Sequence, residues 1–122
     1  MYSKMVKDYF ENPINLGIIE DADAIGIIEN GICSDIIKIY IKVDKQSKSI
    51  IKNAKFEVKG CPPVIASCCV VTEMIKEMNI EKAKTLTADE IIKKLNGLPK
   101  GKEHCAELVV ETLNKAIENI SE

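Results

Sequence analysis

Apolar and polar positions alternate most clearly in two stretches in the first half of the chain. From Asp35 to Asp44, Ile37, Ile39, Ile41 and Val43 fall on one side, with Lys38 and Lys42 on the other. From Ile51 to Lys59, Ala54, Phe56 and Val58 oppose Lys55, Glu57 and Lys59. A period of two belongs to a strand with one buried and one wet face, so both stretches are predicted strands of an antiparallel sheet. Lys45-Gln46-Ser47-Lys48-Ser49 joins them as a polar hairpin loop. Ala24 to Glu29 is short and apolar and supplies a third strand.

Helical spacing governs the rest. Ser3 can cap a short first helix with Met5, Val6, Tyr9 and Phe10 as its apolar positions, and Pro13 ends it. Asn12 to Gly17 reads as irregular chain. Val64 to Met78 is almost continuously apolar in its first half, which predicts a central, buried helix. Thr87-Ala88-Asp89-Glu90 is a capping box, with Leu86 and Ile91 available as a hydrophobic staple; Gly97 and Pro99 stop that helix. From about Glu103, Cys105, Leu108, Val109, Thr112, Leu113, Ala116, Ile117 and Ile120 form the stripe of a long C-terminal helix. The expected fold class is α+β: a short N-terminal helix, a three-stranded antiparallel sheet, then helices packed on one sheet face.

Composition narrows the function. With 122 residues, 46% hydrophobic and 30% charged, the expectation is one soluble domain spanning 1–122 that needs no metal to hold its core. All 17 basic side chains are lysines and the net charge is −2. Without arginine, the side chain best suited to bidentate phosphate or guanine contacts is missing, which argues against nucleic-acid binding. No apolar run approaches the roughly 20 residues that span a bilayer. The expected location is the cytoplasm, where the five cysteines, an odd number, would stay reduced.

Three cysteines lie at predicted turns where a sulfur would be exposed. Cys33, in Cys33-Ser34-Asp35, sits between the first two strands, and Asp35 can bring a carboxylate to the same metal. The plainer reading is a small residue in a tight turn. Cys61 follows Gly60 at the end of the third strand and precedes Pro62-Pro63, so it is the expected N-cap of the buried helix. There, exposed N–H groups and the helix dipole favour thiolate. His104-Cys105 opens the last helix, and His104 is the chain's single histidine. Lys102 can lower a nearby thiol's pKa or hold an anionic sulfur species. Cys68 and Cys69, inside the apolar helix, are expected to pack as small core residues. Three thiols with one Asp and one His suit iron–sulfur or zinc chemistry better than a disulfide frame. A phosphate loop, a dinucleotide fingerprint and a paired-carboxylate cleft are all absent.

Taken in order, several segments resemble the IscU/NifU-type iron–sulfur cluster assembly scaffold family over nearly the whole chain. They are Tyr2-Ser3 with Phe10-Glu11-Asn12-Pro13-Ile14-Asn15-Leu16-Gly17, Asp21-Ala22-Asp23 with Gly26, and Cys33-Ser34-Asp35. Gly60-Cys61 with Ile65-Ala66-Ser67, and Leu98-Pro99 before His104-Cys105, complete the set.

The resemblance implies an IscU/SufE-like fold and a non-enzymatic scaffold. On it a [2Fe–2S] cluster is built from ferrous iron and the persulfide sulfur of a NifS/IscS-type cysteine desulfurase, then passed to apo iron–sulfur proteins. An iron donor is a further implied partner, and the scaffold would act as monomer or homodimer. It implies Cys33, Cys61 and Cys105 as cluster ligands, with Asp35 or His104 completing the set and Cys105 as persulfide acceptor. Zn²⁺ can occupy the same residues in the cluster-free form. Two alternatives use these side chains differently: a SufU-like zinc-dependent sulfur acceptor, and a structural zinc adaptor domain. The chain departs from the family pattern at Ser34, Pro62-Pro63 and Cys68-Cys69. Leu98-Pro99-Lys100-Gly101-Lys102 departs too, which argues against docking to an Hsp70-type chaperone.

Overall fold

The computed structural model describes residues 2–30 and 35–120. In chain order these form α1 (Lys4–Glu11), β1 (Ala24–Asn30), β2 (Asp35–Val43), β3 (Ile51–Lys59), α2 (Pro62–Ile75), α3 (Ile80–Ala83), α4 (Ala88–Lys94) and α5 (Glu103–Glu118). The strands make one antiparallel meander, β1-β2-β3. The α+β expectation holds, as do all three strands and the capping box at Thr87. The four-residue α3 is an element that the sequence pattern did not announce.

The inner face of the sheet is the one the alternation predicted. Ile37, Ile39, Ile41, Ala54 and Phe56 are buried under α2 and α5. Removing such side chains from water is the main favourable contribution to folding, about 1.5–3 kcal/mol for each large one. Ile51 joins this core although it is out of phase with Ala54 and Phe56. A register shift between Lys42 and Val43 inserts an extra residue on β3 and turns Ile51 inward.

On β1 the small residues face in. A Cβ on Gly26 would lie 2.3 Å from the Thr112 carbonyl oxygen and 2.5 Å from the Ala116 nitrogen. This glycine therefore lets α5 press its backbone onto the strand. The larger Ile25 and Ile27 point outward and are exposed.

Helix α2 runs through the middle of the molecule, with ten residues buried, Cys68 and Cys69 among them. Its buried hydroxyls are satisfied on its own backbone: Ser67 Oγ donates to the Pro63 carbonyl at 2.7 Å and Thr72 Oγ1 to that of Cys68 at 2.7 Å. The helix ends at Ile75, short of Met78, where Lys76 becomes extended (ψ 132°) and Glu77 then turns left-handed (φ +65°). The N-terminal helix is tied down by Ser3. Its Oγ accepts from the Val6 N–H and donates to the Leu95 carbonyl at 2.6 Å, so one hydroxyl caps α1 and joins it to the end of α4. Among the described residues no helix is long and apolar enough to cross a membrane.

Candidate cluster-assembly site

The site forms where four elements end together. The β2–β3 register sets Ile36 opposite Lys59, which brings the first residue of β2, Asp35, alongside Gly60. A Cβ built on Gly60 would meet Asp35 Cγ and Oδ1 at 3.3 Å. The missing side chain thus leaves room for the carboxylate against the strand-to-helix junction. Asp35 itself is largely buried.

One residue on, Cys61 is the N-cap of α2, as expected from the two prolines that occupy its first helical positions. It makes no side-chain capping bond, so its sulfur is left for other partners. That sulfur lies 3.9 Å from Cys105 Sγ, in the first turn of α5. Residues 44 positions apart have met.

His104 stands beside this pair. Its Nδ1 is 3.1 Å from the Gly101 carbonyl oxygen and its Nε2 is 3.9 Å from Cys105 Sγ. A carbonyl only accepts, so Nδ1 carries the proton and Nε2 presents its lone pair to the sulfur side, the orientation typical of a metal-ligating imidazole. Gly101, at φ +87°, makes the turn that aims this carbonyl. Its N–H donates to the Glu103 carboxylate at 2.8 Å. Sequence reasoning marked His104 but passed over Gly101; a glycine three residues before the histidine was the available signal.

Two expectations need correction. The position of Cys105 at the start of the last helix predicts an exposed sulfur whose thiolate the helix dipole favours. Cys105 is only 1% exposed. Burial pushes its thiol well above the ordinary range, and the adjacent Cys61 sulfur pushes the same way, because two thiolates in contact repel. Lys102 pulls in the opposite direction, as anticipated, and loses. The helix terminus is outweighed because the sulfur lies behind Cys61 rather than at the open end of the helix.

Cys33 lies outside the described residues, in the connection between β1 and β2. Of the five sequence-marked residues, Asp35, Cys61, His104 and Cys105 are therefore seen around one corner. Among the described residues no group of three or more Cys, His, Asp or Glu is close enough to hold a metal unaided. Cys68 and Cys69 are fully buried as core residues, with the Cys69 thiol pushed up to about 11 by burial.

The whole of residues 1–122 matches the model of the NifU-like N terminal domain. The chain belongs to that family. It is 45% identical over 117 residues to the iron–sulfur cluster assembly scaffold protein IscU 1 of Archaeoglobus fulgidus, covering 96% of this chain and 74% of that one. It is 39% identical to the IscU scaffold of Aquifex aeolicus over 118 residues, 97% of this chain and 74% of the other. Among solved structures it is similar to a protein described as a cluster assembly scaffold for the SUF system of Fervidobacterium islandicum AW-1. The TM-score is 0.78 at 25% identity, covering 95% and 96% of the two chains. The fold is also that of the N-terminal part of a NifU-like protein from Brucella abortus, with a TM-score of 0.74, 18% identity and coverage of 97% and 92%.

Proposed function

We propose that this NifU-like domain is a scaffold on which an iron–sulfur cluster is assembled and from which it is handed to apo-proteins. The observation that carries the reading is the convergence of Cys61 and Cys105 from separate elements, sulfurs 3.9 Å apart, beside His104 Nε2. The relatives' names point the same way.

The cluster is cargo rather than a resident group. Thiolates at Cys33, Cys61 and Cys105 would hold its irons, with Asp35 or His104 as the harder fourth ligand. Three thiolates and one oxygen or nitrogen bind iron less tightly than four thiolates, which suits a site that must let go. The core supports the same idea: among the described residues it closes mainly on aliphatic side chains and takes in only Cys105 of these ligands, with Cys61 packed against it.

Sulfur comes from a cysteine desulfurase as persulfide and rests on Cys105, whose burial shields it from solvent thiols. The cluster formed is of the [2Fe–2S] type. The domain itself catalyses no turnover, and it works in the cytoplasm as one domain.

The test is anaerobic reconstitution with ferrous iron, cysteine and a desulfurase, followed by transfer to apo-ferredoxin. Expected are visible cluster absorption, a Mössbauer doublet pair and restored ferredoxin. A second reading, zinc-dependent sulfur acceptance, draws on the same side chains and on the likeness to the SUF-system protein. A protein that stays colourless and passes on persulfide alone would establish that reading instead.

A further inference from the structure

The unequal exposure of the two paired sulfurs separates their roles. Cys61 is partly open to solvent, whereas Cys105 directly behind it is 1% exposed. A bulky donor carrying a persulfide reaches the outer thiol and not the inner one. Yet the two sulfurs lie 3.9 Å apart, close to van der Waals contact. A sulfur bonded to Cys61 at about 2.05 Å is then within touching distance of Cys105 Sγ.

We propose that Cys61 is the entry thiol for sulfane sulfur and relays it to Cys105. The inference rests on the scaffold reading above and adds a reaction step to it.

In the first step the Cys61 thiolate attacks the outer sulfur of a donor persulfide. A new S–S bond forms at Cys61, the donor's S–S bond breaks, and the donor sulfur leaves as thiolate and takes up a proton. In the second step Cys105 Sγ attacks the outer sulfur now on Cys61. The Cys61 S–S bond breaks as the Cys105 S–S bond forms, and the Cys105 proton moves to the Cys61 sulfur it faces. One sulfane sulfur has moved between two thiols with no net oxidation, so no outside reductant is consumed. The relay leaves Cys61 free as a thiol for iron while the sulfur waits in the buried position.

The test uses the reduced, chelator-treated protein with cysteine persulfide as donor, and in a second arm with inorganic polysulfide. Samples are quenched by alkylation over time, digested, and assigned by tandem mass spectrometry. In the wild type, one added sulfur should appear first on Cys61 and then on Cys105 as the Cys61 signal falls. In C105S the sulfur should stay on Cys61. In C61S and C61A, loading of Cys105 from the cysteine donor should drop about tenfold or more, as expected when a buried thiol must meet the donor alone. Thermal melts verify that the variants are folded; if they are not, the order of labelling in the wild type decides.

Loading of Cys105 at the wild-type rate in a folded C61S or C61A protein overturns the relay. So does first labelling of Cys105 in the wild type, or a Cys61–Cys105 disulfide with free sulfide as the first product. Cluster assembly from iron and inorganic sulfide is measured beside it. A protein that builds the cluster but shows no relay keeps the scaffold function and loses this step; one that builds none loses the function itself.

Discussion

Tyr40 shows how one residue's setting becomes a measurable property. It lies on the outer face of β2 and donates its hydroxyl to Glu57 at 2.5 Å, diagonally across to β3. That hydrogen bond, with burial next and the Glu57 charge after it, holds the phenol at a pKa of about 12. The protonated form is the one the fold favours. Its contribution to stability is therefore complete below the unfolded value near 10 and lost as pH rises from there through about 12. Spectrophotometric titration of tyrosinate should find one group ionising near 12, and Y40F should remove it. At the proposed site, Asp35→Ala removes the harder oxygen ligand and should slow cluster release, giving a longer-lived cluster. Visible absorption followed during transfer to apo-ferredoxin checks this; decay at the wild-type rate would exclude Asp35 from that role.

At the scale of elements, two sites test different physics. Helix α4 opens on a reciprocal capping box, the Thr87 hydroxyl accepting from the Glu90 N–H and the Glu90 carboxylate from the Thr87 N–H. Thr87→Ala should cost about 1 kcal/mol in a denaturant melt, the usual worth of such a cap, and leave the cluster site alone. Gly26→Val should cost about 3 kcal/mol or more, because the added carbons run into α5 backbone that has no rotamer to yield. Since α5 carries His104 and Cys105 at its start, pushing it off β1 should also weaken cluster retention. The capping box could be read directly from four consecutive residues. The role of Gly26 could not: its neighbours, Thr112 and Ala116, lie far along the chain.

For the whole molecule, the question is whether metal holds it together. A structural zinc site supplies about 10–16 kcal/mol of folding energy, more than a domain of this kind has to spare. Among the described residues, the buried core from Val6 to Ile117 contains no site residue except Cys105, with Cys61 packed against it. The metal-free protein should thus show a cooperative thermal transition with and without chelator, and Cys61→Ser should remain folded. Loss of the transition on chelation would make the site structural.

The division between chain and fold follows the range of the forces involved. Periodicity and capping act within a few residues, so the strands, the Ser3 and Thr87 caps, the buried helix and the Cys61 N-cap were all legible in the chain. The ordered motifs also announced the family. Contacts between distant segments were not legible, and these decided the rest. The bulge turned Ile51 inward, and the close approach at Gly26 turned Ile25 and Ile27 outward. The same kind of packing put the Cys105 sulfur behind that of Cys61, where desolvation outweighs the helix terminus that the local sequence advertises. A sulfur's accessibility and charge depend on what other elements lay over it, and only the tertiary structure supplies that covering.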